Sequence, residues 1–115
     1  MAVCLFVNKL KPERVGDYTE YHKEAHNTRW KTQIMAIRDA GFKICDVYLY
    51  EGLSIVVMEG DDLEACFEKL GNDENNKQWQ ELMGNFFAAN PKFDGTEITA
   101  KKIFDLNAQF ALIGD

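Results

Sequence analysis

KICDVYLYEGLSIVVME, residues 43–59, decides the fold. Residues 43–51 alternate apolar and polar side chains, residues 53–59 are apolar and β-branched, and Gly52 stands between the two runs. Two β-capable runs joined by a glycine predict a tight antiparallel hairpin. Upstream, residues 2–10 (AVCLFVNKL) are nearly all apolar and read as a central strand covered on both faces. Between that strand and the hairpin, Pro12 suits a first helical turn, Glu13 suits the positive end of a helix, and Gly41 suits a C-terminal cap. One long helix over residues 12–40 is predicted. Downstream, Asp61 or Asp62 caps a short helix reaching Lys69 or Leu70, and Asn72 or Asp73 caps a second over residues 74–88. That second helix carries Trp79, Leu82, Met83, Phe86 and Phe87 at helical spacing. NPKFDG (90–95) is turn chemistry, and EITAKKIFDL (97–106) returns as a strand. The order is β-α-β-β-α-β with its second helical region split, the α+β, ferredoxin-like plan with a four-stranded antiparallel sheet. NAQFALIGD (107–115) is left as an apolar tail.

The whole chain bounds the function. Its 115 residues suit a single domain, 1–115, with one core. Hydrophobic residues at 46% and charged residues at 28% argue against disorder and fibrous repeats. Thirteen Lys and Arg against nineteen Asp and Glu give a net charge of −6, and basic residues cluster no further than dipeptides. A phosphate backbone would find no footprint, so nucleic acid is not an expected partner. MAVCLFV lacks a basic n-region and meets Asn8 and Lys9 too soon for a signal peptide, and no later run approaches membrane-spanning length. A cytoplasmic protein is expected. Cys4, Cys45 and Cys66 are odd in number, far apart and without a CxxC, which predicts buried reduced thiols.

The plan implies a partner. Two helical regions cover one face of the sheet, yet the strands are apolar on both faces: Val3, Leu5 and Val7 against Cys4 and Phe6, Ile55 and Val57 against Val56 and Met58. A bare face of that kind would be an exposed hydrophobic patch. A second copy packed sheet against sheet is the economical cover, so a homodimer of the dimeric α+β-barrel kind is expected, with a pocket between each sheet and its helices. Phe110 and Leu112 of the tail are expected to pack on the partner.

DYTEYHKEAHNTRW (17–30) carries the chemistry. On a helix, His22 and His26 stack one turn apart on a face shared with apolar residues, with Tyr18 a turn before and Trp30 a turn after. Three readings stay open. The pair can be structural, satisfied by backbone carbonyls or carboxylates. It can supply two metal ligands, although no third-ligand motif such as HExxH accompanies it. It can exchange protons near neutral pH as an acid-base pair.

EYHKEAHNTRW (20–30), IRDAGFKICDVYLYEGLSIVVME (37–59), NNKQWQELM (75–83) and KKIFDL (101–106), taken in order, resemble the L-rhamnose mutarotase family and its L-fucose mutarotase-like relatives. The resemblance implies a dimeric ferredoxin-like barrel, no cofactor or metal, and interconversion of the α and β anomers of a 6-deoxy monosaccharide. It also implies His22 or His26 as the acid-base residue. Counted from the first strand the family's histidine position is His22, preceded by Tyr18; counted back from the hairpin it is His26, in HNTRW. Tyr18 would be a hydroxyl partner, and Trp30 an apolar platform for the sugar. The chain departs from the family at Lys31, Cys45 and Phe67, where relatives have proline, tyrosine and tryptophan. Phe67 then stands at a substrate-binding position, Tyr48 or Tyr50 would replace the missing hydroxyl, and Trp79 the missing indole. The competing expectation is a cofactor-independent monooxygenase-like or small-molecule-binding protein of the same barrel class. A third keeps the dimer as a non-catalytic scaffold.

Overall fold

The hairpin forms around Glu51 and Gly52. In a computed structural model, which describes residues 2–88, 100 and 102–114, strands β2 (Phe42–Tyr50) and β3 (Leu53–Gly60) pair antiparallel with Tyr50 opposite Leu53. Glu51 and Gly52 have φ of 49° and 78°. A two-residue turn with both central φ values positive matches the right-handed twist of the strands it joins, and glycine adopts it without strain. Strand β1 (Ala2–Lys9) pairs antiparallel with the other edge of β3, Phe6 opposite Val56. The described sheet has the order β1-β3-β2, with β3 between its two partners.

The predicted helix over residues 12–40 is broken into pieces. A 3-10 turn (Pro12–Arg14) leads into α1 (Val15–Lys23); a second 3-10 turn (Ala25–Asn27) then precedes α2 (Lys31–Asp39). The break has a local cause. Thr28 is extended, at φ −122° and ψ −177°. Its hydroxyl donates to the Ala25 carbonyl at 3.1 Å and accepts from the Trp30 N–H at 3.2 Å. Side-chain bonds of this kind offer the backbone an alternative to helix.

Helices α3 (Leu63–Gly71) and α4 (Glu74–Gly84) start where the acidic residues predict. Asp62 accepts from the Ala65 N–H at 3.1 Å, and Asp73 from the Asn76 N–H at 3.0 Å. Helix α4 ends at Gly84 and does not reach residue 88, because Asn85 turns its amide back onto the Leu82 carbonyl and the chain pairs with the end of β1. Lys11 N–H donates to Phe86 O and Ala88 N–H to Lys9 O, at 2.8 and 2.9 Å.

Of the predicted fourth strand, residues 97–106, residues 97–99 and 101 lie outside the described residues, as does the whole 90–95 turn. Ala100 bridges Leu5 in antiparallel sense, residues 102–105 are irregular, and Leu106 opens a helix, α5 (Leu106–Ile113), capped by Asp105. No helix among the described residues is long and apolar enough to cross a membrane.

Alternation along the strands sends Cys4, Phe6, Val56 and Met58 to the helix-covered face, where all four are buried. They form one core cluster with Phe42, Phe67 and Leu70. A second cluster, built on Tyr18, Trp30, Trp79, Phe86 and Phe87, joins α1, α2 and α4, and Val47 packs against both. All three cysteines are free thiols.

Candidate active site

A cavity of about 210 Å³ lies where the two clusters meet, between the sheet and α1, α2 and α4. Room for one bridging water needs only about 10–15 Å³. The space is therefore ring-sized. Its floor is sheet: Cys45 and Val47 from β2, Val56 and Met58 from β3. Its walls are Tyr18 and His22 from α1, Trp30 and Gln33 at the start of α2, and Asn76 and Trp79 from α4.

Tyr18 and His22 share a face because they are one turn apart on α1. Tyr18 is 3% exposed, and its hydroxyl lies 2.8 Å from that of Ser54, which is fully buried on β3. That bond pins the helix to the sheet. Burial pushes the Tyr18 phenol up from its usual range; the Ser54 bond pulls the other way, and Cys45 adds to the rise. The phenol stays protonated at neutral pH.

The His22 ring is 4.3 Å from the Tyr18 ring and meets Trp79 edge-on at 5.3 Å, centroid to centroid. Its Nδ1 lies 2.7 Å from the Tyr18 carbonyl oxygen. A carbonyl only accepts, so Nδ1 carries the proton and the Nε2 lone pair is the basic site. Burial lowers the His22 pKa from the ordinary 6.5, opposed by the bond to the Tyr18 carbonyl. The imidazole is neutral at physiological pH, as a general base must be. Trp30 packs edge-on against Trp79 at 5.2 Å, and the Arg29 guanidinium covers the outer face of Trp30 at 4.1 Å. Cys45, in the floor, is pushed up to about 11 by burial, Asp46 and Cys4, and remains a thiol.

The structure brings four of the predicted site residues together: Tyr18, His22, Trp30 and Trp79 all line the cavity. It places the other four elsewhere. His26 is exposed on the Ala25–Asn27 turn, away from the cavity, because the break after α1 removes it from the face it would share with His22 on a continuous helix. Tyr48 and Tyr50 are 58% and 64% exposed. Tyr48 alternates with the inward Val47, and Tyr50 ends its strand at the turn. Phe67 is buried in the first core cluster, edge-on to Phe6 and Phe42 at 5.9 and 5.1 Å.

Sequence reasoning missed the carboxamides. Gln33 and Asn76 are buried in the wall, and Gln80 joins them there. The available signal was their place on the stripes of Trp30 and Trp79. Among the described residues no group of three or more His, Cys, Asp or Glu side chains is arranged to hold a metal ion.

Comparisons with known proteins fit this geometry. No curated protein matches the chain. Among solved structures, an L-rhamnose mutarotase from Formosa agariphila superposes with a TM-score of 0.65 at 20% identity, over 91% of this chain and 98% of that one. Tetracenomycin F2 cyclase from Streptomyces glaucescens, a type-II polyketide cyclase, superposes with a TM-score of 0.56 at 14% identity, over 91% and 96%. Both likenesses concern the α+β fold. The model of the L-rhamnose mutarotase family matches residues 3–106, which take in every strand and helix that lines the cavity, and the chain belongs to that family, isomerases acting on sugar anomers.

Proposed function

We propose that the protein interconverts the α and β anomers of a 6-deoxy pyranose such as L-rhamnose or L-fucose, with His22 as the acid-base residue. The observation that carries this is a neutral imidazole, its tautomer fixed by the Tyr18 carbonyl, in the wall of a ring-sized cavity. Nε2 takes the proton of the anomeric hydroxyl as the C1–O5 bond breaks. The Tyr18 phenol, accepting from Ser54, gives its proton to the departing ring oxygen. Rotation about C1–C2 turns the other face of the aldehyde toward O5, and the reverse transfers close the ring. Atoms and protons balance over the cycle. Trp30 and Trp79 present ring faces and edges to the apolar C–H surface of the sugar.

The working unit in this reading is a homodimer. Its support is the sheet face turned away from the helices, where Val3, Ile44 and Tyr48 are exposed. A fourth strand beside β1 is also inferred, supported by the Ala100–Leu5 bridge.

Saturation-transfer NMR on L-rhamnose and L-fucose tests the activity directly. Accelerated anomer exchange is expected with at least one sugar. If no pyranose is accelerated, the reading fails. The competing one, a binding or oxidising pocket for an aromatic polyketide, then takes its place on the strength of the largely aromatic and aliphatic lining and the fold likeness to a polyketide cyclase.

A further inference from the structure

The cavity is apolar over most of its lining, but one part of its wall is built of carboxamides. Gln33, 3% exposed on α2, donates from Nε2 to Asn76 Oδ1 on α4 at 2.9 Å. Gln80, one turn further along α4, donates to the same oxygen at 3.3 Å. Asn76 Oδ1 therefore faces two N–H donors, and this sets which way the Gln33 amide points. Flipping Gln33 would press its oxygen against another acceptor. The result is that Gln33 Oε1 is buried and has no hydrogen-bond partner. A buried acceptor left unpaired is costly, and most such groups in folded proteins are satisfied by a neighbour, a water or a ligand.

We propose that Gln33, held by Asn76 and Gln80, accepts a hydroxyl of the bound pyranose and sets which sugar the cavity prefers. This rests on the sugar reading above and deepens it. The Tyr18 hydroxyl already bonds Ser54 and the His22 Nδ1 a backbone carbonyl, whereas Gln33 Oε1 has no partner. Both also belong to the reacting end of the sugar. A pyranose carries ring hydroxyls away from its anomeric carbon, and among apolar walls each needs a partner to offset its desolvation. Gln33 Oε1 is an acceptor in want of such a donor. Gln33 is a specificity-determining residue, with Asn76 as its positioning residue.

The test is a cycle of protein variant against substrate variant. L-Rhamnose and its 2-, 3- and 4-monodeoxy analogues are compared on the unaltered protein and on Gln33→Met. Anomer exchange gives kcat/KM, and quenching of Trp30 and Trp79 fluorescence gives Kd. On the unaltered protein one analogue should be poorer than L-rhamnose by roughly 10- to 100-fold. Gln33→Met should lose a similar factor on L-rhamnose and almost nothing on that one analogue. Asn76→Asp, which keeps the acceptor that holds Gln33, should retain the preference; Asn76→Leu, which releases Gln33, should lose it, and serves if the methionine variant does not fold. Equal losses on all four sugars, or none, would overturn the assignment. Because Kd is measured separately, a protein that binds and discriminates the sugars without accelerating exchange would defeat the mutarotase reading while sustaining this one. A protein that neither binds nor turns over any of the four defeats both.

Discussion

His22 and His26 differ in one respect: His22 lines the cavity and His26 is exposed. Replacing His22 with glutamine removes the group with a proton affinity near neutrality, and kcat should fall by about 10²- to 10⁴-fold, the usual contribution of a positioned acid-base residue. His26→Ala alters an exposed turn, so its kcat and KM should stay within about twofold of the parent. The pH profile separates His22 from an ordinary exposed histidine. Its pKa is lowered from 6.5, so activity that needs the neutral ring holds as pH falls past 6.5 and is lost only on passing the lower, folded-state value. Stability follows the same sign. The unfolded chain takes up its proton first, so the folded state weakens as pH drops below 6.5 and gains nothing further above it. An acid limb of kcat/KM at or above 6.5 would contradict the assignment. Tyr18, His22, Trp30 and Trp79 were legible because large aromatic and imidazole side chains at helical spacing stand out in a sequence. Gln33 and Asn76 were not, since a carboxamide on an apolar stripe looks the same whether it faces a cavity, a neighbour or water.

Elements were legible wherever their signal is local. The Gly52 turn and the acidic caps follow from a few adjacent residues, and they formed as read. Asp73 carries weight beyond its own bond, because α4 presents Asn76 and Trp79 to the cavity. Asp73→Ala should cost about 1 kcal/mol, seen as a lower urea midpoint with an unchanged slope. A midpoint equal to the parent's would mean that water or a neighbour caps the helix equally well. The break between α1 and α2 was not legible. Apolar periodicity runs through residues 12–40 without losing phase, and it outweighs the weaker statement made by Asn27 and Thr28, whose side chains favour turns over helix interiors. That break leaves His22 in the cavity wall and His26 on an exposed turn, so a feature the sequence hides decides which histidine lines the cavity. Residues 102–105 of the last predicted strand are irregular, and the Asp105 carboxylate, capping Ala108 and paired with Lys102 at 3.1 Å, starts a helix over residues read from sequence as an apolar tail.

At the scale of the molecule, exposed apolar side chains among the described residues gather on two parts of one protomer. Helix α5 is exposed along its length, with Phe110, Leu112 and Ile113 at 72%, 81% and 79%. The described chain spans 53 Å along its longest axis against 31 and 24 Å across. The sheet face turned away from the helices adds the exposed Val3, Ile44 and Tyr48. In the proposed dimer a two-fold axis buries both at once, and any residue at the axis counts twice. Val57 points to that face from the central strand, between its register partners Leu5 and Asp46. Val57→Lys should therefore raise the dimer dissociation constant by about 100-fold or more, since two ammonium groups would be desolvated opposite one another. Sedimentation at micromolar protein should then show monomer. Removal of residues 107–115 tests the tail separately: it should weaken the dimer without abolishing it, because the sheet face would still be paired. If the Val57→Lys protein sediments as a dimer, the sheet face is not the interface. A truncated chain that dimerises as tightly as the parent would leave α5 without a role in assembly, and its apolar side chains would need another cover.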